Sequence, residues 1–218
     1  MQETLFVRCI TCGMYGANAW LVGLPERDDA LLIDPGDDFD ALEAAIAQSG
    51  KKLGAILLTH GHFDHTLAAG ELSRRHGAQI YVHAGDLNMV ENERLNVYNP
   101  AVSTLPAPKD FCTKAYPAAD GEKFMLCGVE FTLLHTPGHT PGCVCLYAQK
   151  QGVLFSGDTL FASGFGRTDL PGGSMAQLRK SLIALLQLPG EVQICPGHGG
   201  TCTIARERRV YGFESANN

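Results

Sequence analysis

The stretch Gly54-Ala55-Ile56-Leu57-Leu58-Thr59-His60-Gly61-His62-Phe63-Asp64-His65 runs from an apolar segment directly into three histidines and a carboxylate. A short run without polar residues reads as a strand covered on both faces, so the polar cluster sits at the end of a buried strand. With 8 His and 12 Asp in 218 residues, an H-x-H-x-D-H string arises by chance on the order of once in two thousand such chains. In extended backbone, residues two apart point the same way. His60 and His62 can therefore reach one metal ion, while Asp64 and His65 can be turned toward a second. The plainer alternative is a set of histidines that merely caps a strand.

Working outward, three later segments share one design: a potential metal ligand on a glycine-rich turn, just after an apolar strand. They are Thr136-Pro137-Gly138-His139, Ser156-Gly157-Asp158-Thr159 and Pro196-Gly197-His198-Gly199. Alone, each reads as a turn with a solvated side chain. Together with the first cluster they supply seven candidate ligands: His60, His62, Asp64, His65, His139, Asp158 and His198.

Strands are predicted over residues 18–24, 30–33, 54–58, 80–82, 130–134, 143–147, 153–155 and 192–195. Helices are predicted over 40–49, stopped by Gly50, over 67–76, closed by Gly77, and over 174–187. In the last of these, Ser174 and Gln177 form a capping-box pair, and Met175, Leu178, Leu182, Leu185 and Leu186 fall at helical spacing. Residues 96–117 hold four prolines and read as a long surface connection or a linker. Strands with interspersed helices, twice over, suggest an α/β fold: two sheets face to face with helices outside, a four-layer αββα sandwich. One domain over residues 1–218 is the expectation.

Composition narrows the function classes. The 17 Lys and Arg against 23 Asp and Glu give a net charge of −6, which supplies no general attraction to nucleic acid or anionic lipid. The start Met1-Gln2-Glu3-Thr4 lacks a signal-like pattern and nowhere do 18 apolar residues run together, so a cytoplasmic protein with neither nucleic-acid nor membrane partners is expected. Most of the eight cysteines should be buried small hydrophobes in a reducing compartment. Cys9 and Cys12 make a single C-x-x-C without a second pair to complete a zinc site. His135 reads as a strand end or as a group orienting a ligand, His76 and His83 as surface residues, and Arg206, Arg208 and Arg209 as a solvated helix face.

The ordered set of four motifs, from Asn18 to His198, resembles the metallo-β-lactamase superfamily, specifically its glyoxalase II-like members. The resemblance implies an αββα fold in which His60, His62 and His139 bind one metal, Asp64, His65 and His198 the other, and Asp158 bridges them. It implies two divalent ions, zinc first, with iron or manganese as alternatives. Gly157-Asp158-Thr159-Leu160-Phe161 followed by Gly166-Arg167-Thr168-Asp169 is similar to the stretch that sets glyoxalase II-like members apart from β-lactamases. His65 after Asp64 points the same way, so antibiotic hydrolysis is disfavoured. Only 20 residues follow His198, whereas glyoxalase II enzymes continue into a helical domain; the chain looks like the short branch.

The implied activity is hydrolysis of a small thioester, S-lactoylglutathione or another 2-hydroxyacyl thioester, by a metal-bridging hydroxide, with Asp64 and Asp158 as the catalytic carboxylates. A thiolate, with a parent pKa of about 8.5, leaves without a strong general acid. Arg167 is the candidate for a substrate carboxylate, and an internal salt bridge to Asp169 is its alternative. Two other readings stay open: a persulfide dioxygenase with one iron on His60, His139 and Asp158, and a metal-binding module without catalysis.

Overall fold

The computed structural model describes residues 4–109 and 111–213. In chain order it forms β1 (Phe6–Cys12), β2 (Ala17–Gly23), β3 (Asp29–Ile33), α1 (Phe39–Ser49), β4 (Lys52–Leu57), α2 (Ala69–His76), β5 (Gln79–Val82), α3 (Leu87–Val90) and β6 (Thr113–Ala115). There follow β7 (Lys123–Leu126), β8 (Val129–His135), β9 (Val144–Ala148), β10 (Val153–Gly157), α4 (Met175–Leu185), β11 (Gln193–Pro196), β12 (Cys202–Thr203) and α5 (Ile204–Val210).

The strands form two six-stranded sheets, in the orders β1-β2-β3-β4-β5-β6 and β12-β11-β10-β9-β8-β7. Both are mixed: β3 to β6 run parallel, as do β10 and β11, and the other pairs are antiparallel. Alternation along β3 shows why its residues after Asp29 are all apolar. Leu31 and Ile33 enter the core between the sheets with Phe131, Leu133, Leu146 and Phe155, while Ala30 and Leu32 face outward, where Leu42 and Ile46 of α1 and Leu72 of α2 cover them. On the far side, Leu185, Leu186 and Ile204 cover the second sheet. This is the αββα sandwich expected from the sequence.

Gly50 and Gly77 close α1 and α2 in the left-handed conformation, and Ser174 Oγ accepts from Gln177 N at the start of α4, as predicted. Met175 departs from its expected place on the buried face: it is 51% exposed. Residues 96–117 are not simply a surface connection. They contain β6, which extends the parallel ladder beside β5, and both Asn96 and Tyr116 are buried. Their prolines hid a three-residue edge strand.

Five of the eight cysteines are buried and all eight are free. Cys9 and Cys12 lie three apart in β1, so they emerge on opposite faces, one exposed and one buried, and do not form a joint clamp. The histidines assigned to the surface are engaged: His76 Nε2 lies 2.6 Å from Glu43 Oε1, and His83 stacks on His135 at 4.2 Å between centroids. Arg208 is not on a solvated face either, because its Nε donates to Leu186 O at 2.6 Å at the end of α4.

Candidate metal centre

All four motifs lie at one end of the sandwich, each just past the C-terminal end of its strand. Main-chain bonds stitch them across the two sheets. Val144 N donates to Thr59 O at 2.9 Å, Gly197 N to Gly157 O at 2.8 Å and Asn18 N to Gly197 O at 2.7 Å. Asn18 Nδ2 and Trp20 Nε1 both donate to Pro196 O at 3.1 Å, which fixes the turn before His198 against β2.

The seven predicted residues come together, in two groups. Ligand atoms of His60, His62 and His139 lie within 4.8 Å of one another, and so do those of Asp64, His65 and His198. Asp158 sits between the groups. Its Oδ1 is 3.4 Å from His65 Nε2, and its Oδ2 is 3.6 Å from both His139 Nε2 and His198 Nε2. The two groups differ in exposure: His60, His62, His65 and His139 are buried, while the Asp64 and His198 side chains are 19% and 25% exposed.

The donors fit divalent cations. His60 Nε2, His62 Nε2 and Asp158 Oδ1 are buried with no hydrogen-bond partner among the described residues. Each such orphan costs about 1–3 kcal/mol unless something else meets it. Imidazole and carboxylate are the donors that zinc, iron and manganese accept.

The electrostatics separate the groups further. Burial pushes the His60 imidazolium far out of favour, and burial followed by the neighbouring His139 lowers His62 to about 3, so both rings are neutral. His65 goes the other way. Burial opposes its charge most, but Asp158, Asp64 and Asp34 together outweigh it and raise His65 to about 10. Asp64 is lowered despite its burial, because His65 and His198 favour the carboxylate.

Two supporting carboxylates escaped the sequence reading. Asp34, at φ 51° past the end of β3, accepts from Thr59 N at 2.7 Å and Thr59 Oγ1 at 2.6 Å and lies 3.2 Å from His65 Nδ1. Thr59 Oγ1 in turn lies 3.1 Å from His60 Nδ1, so Asp34 reaches both groups. Asp86, in the turn after β5, bonds to the loops on either side of the three-histidine group. Both carboxylates follow an apolar strand at a glycine-bearing turn, the same signal that marks His139, Asp158 and His198. A further contact joins His139 Nδ1 to Arg167 O at 2.6 Å, so it is the main chain of residue 167 that orients this ring.

The centre opens into a cleft of about 420 Å³ lined by Tyr15, Phe63, Val97, Phe161, Leu170 and Arg167, among others. Val97 belongs to the 96–117 segment, which thus contributes a wall. Tyr15, Phe63 and Tyr98 meet edge to face at 5.7 and 5.9 Å. The Arg167 guanidinium donates to both Asp169 oxygens, at 2.7 and 2.6 Å, and the pair is exposed. The salt-bridge alternative for Arg167 is therefore formed.

Comparison with known proteins agrees with this fold. Residues 12–198 match the family model of the metallo-beta-lactamase superfamily. The chain is 35% identical over 192 residues to the hydroxyacylglutathione hydrolase GloC of Haemophilus influenzae, covering 86% of this chain and 88% of that protein. Among solved structures, it is similar to a protein crystallised in a di-iron-bound form (TM-score 0.82, 38% identity, 94% and 98% of the two chains). It is also similar to the B3 metallo-beta-lactamase BLEG-1 (TM-score 0.82, 32% identity, 94% and 97% covered).

Proposed function

We propose that this chain, which belongs to the metallo-beta-lactamase superfamily, is a metal-dependent hydrolase of small thioesters, with S-lactoylglutathione or a similar 2-hydroxyacyl thioester as substrate. The single observation that carries the reading is the pairing of two ligand groups around Asp158, in a chain 35% identical to a hydroxyacylglutathione hydrolase. We read residues 1–218 as one metallo-hydrolase domain. Eight free thiols support a cytoplasmic setting, and no helix among the described residues is long and apolar enough to cross a membrane. The partner in this reading is the small thioester.

In this reading His60, His62 and His139 would hold one divalent ion, and Asp64, His65 and His198 would hold the other. Zinc is first choice, and the di-iron relative keeps iron in view. Bound there, divalent ions would supply hydroxide at neutral pH, by lowering the pKa of water from about 15.7 toward roughly 7, and a Lewis acid for the substrate carbonyl. The residues do the rest. Asp158 places its two oxygens toward the two groups, Asp64 adds a second negative charge at the open side, and the burial of His60 and His62 keeps both rings neutral. Tyr15, Phe63 and Leu170 form an apolar wall for the acyl or thiol portion. Arg167 would meet a substrate carboxylate only by sharing or leaving Asp169.

Metal analysis paired with turnover assays tests this. About two metals per chain with hydrolysis of S-lactoylglutathione is the expected outcome. One iron per chain with oxygen uptake on glutathione persulfide would replace it with a dioxygenase. Metal without turnover would make the chain a binding module. The likeness to BLEG-1 is reason to include a β-lactam, on which little or no turnover is expected.

A further inference from the structure

We propose that Asp86 is a positioning residue that sets the three-histidine group by tying its two loops to one another. The proposal rests on the two-ion reading of the centre. Asp86 is wholly buried. Its Oδ2 accepts from Gly61 N at 2.9 Å and from Thr140 Oγ1 at 2.6 Å, and its Oδ1 accepts from Gly142 N at 2.6 Å. Gly61 lies between His60 and His62, while Thr140 and Gly142 stand one and three residues after His139. One carboxylate thus fixes the backbone that aims all three rings, across a sequence separation of up to 56 residues.

Among the described residues, no hydrogen bond of Asp86 reaches Asp64, His65 or His198. The clamp is specific to one group. The surroundings are built for this approach: a Cβ on Gly142 would collide with the Asp86 main chain and carboxylate, so glycine lets the turn descend onto it. Asp86 is itself fixed, since its N donates to His83 O at 2.9 Å. Three donors converging on one buried carboxylate leave a substitute no alternative partner from water. An asparagine keeps one acceptor oxygen but turns an NH2 toward a main-chain N–H, so at least one loop is released.

The test is metal retention by the full-length, zinc-loaded protein against graded chelator, with bound zinc counted per chain and folding followed by circular dichroism. His62→Ala identifies which release step belongs to the three-histidine group. Asp86→Asn is expected to lose that step at about 10- to 100-fold less chelator, the usual scale for groups supporting a metal ligand, with the other step unmoved within about threefold. Thr140→Val removes one of the three donors and is expected to shift the same step by a smaller factor; it decides the matter if Asp86→Asn does not fold. A general loss of stability would move both steps alike. Equal shifts, or a folded Asp86→Asn or Thr140→Val that retains zinc as the wild type does, would overturn the role of Asp86. A wild type holding fewer than two zinc ions overturns the two-ion reading and the proposal with it.

Discussion

The two ligand groups draw on one six-residue string yet sit in opposite surroundings. His60, His62 and His139 form an all-imidazole group buried at the floor of the cleft, in which burial pushes His60 and His62 toward the neutral form. Asp64, His65 and His198 form a mixed, partly open group in which surrounding carboxylates outweigh burial and raise His65 to about 10. One short sequence motif therefore feeds a buried site of neutral rings and a second site whose acids favour a cation, either the proton on His65 or a metal ion that replaces it. The difference teaches where each is vulnerable: the closed group depends on the backbone that aims its rings, and the open group on the acids around it.

The largest break in this comparison is His62→Ala. It deletes a nitrogen from a pocket that water does not readily refill, so thioester hydrolysis is expected to fall on the order of 100-fold or more with loss of one metal per chain. His198→Ala acts in the group open to solvent, where water can stand in for the missing nitrogen; a smaller loss, roughly tenfold, is expected. Steady-state rates with metal content measured on the same samples check both. A His62→Ala enzyme with the wild-type rate would remove the closed group from the chemistry.

The carboxylates behind the groups sharpen the comparison. Asp34 touches His65 directly and reaches His60 through Thr59, whereas the Asp86 carboxylate bonds, among the described residues, to the loops of the closed group. Asp34→Asn is therefore expected to weaken both metal-release steps, by about 10-fold each, where Asp86→Asn weakens one. Chelator titrations of the two variants side by side would show it. A one-step effect from Asp34→Asn would mean that the link through Thr59 carries no positioning force.

Much of this was legible in the sequence because ligands, capping residues and alternating apolar strands announce themselves locally. The H-x-H-x-D-H string, the Ser174 cap and the glycine stops at Gly50 and Gly77 all depend on neighbours a few residues away. Asp34 and Asp86 were passed over although their turns carry the same strand-then-glycine signal. What makes them matter is contact with residues 25 to 56 positions distant, which only the folded chain brings close. Of the strands, β1, β6, β7 and β12 were missed. β6 and β12 are three and two residues long, shorter than any reliable period-2 pattern. Arg167 was found for its side chain, yet its carbonyl makes the contact with His139.

That last point gives the smallest effect and the finest test. The Arg167–Asp169 fork is well formed, but both partners are more than half exposed, and exposed ion pairs hold weakly against a competing anion. If Asp169 is a placeholder for a substrate carboxylate, removing either partner has opposite consequences. Arg167→Ala is expected to raise KM about three- to tenfold with kcat nearly unchanged, the pattern of lost uniform binding, because the main-chain bond to His139 survives the substitution. Asp169→Asn frees the guanidinium and is expected to lower KM about two- to threefold for a substrate that bears a carboxylate, and to leave an uncharged thioester unaffected. Were Asp169→Asn instead to raise KM for both substrates, the pair would be a brace for the loop that carries the residue 167 carbonyl, and recognition of the substrate would fall to the apolar wall of Tyr15, Phe63 and Leu170.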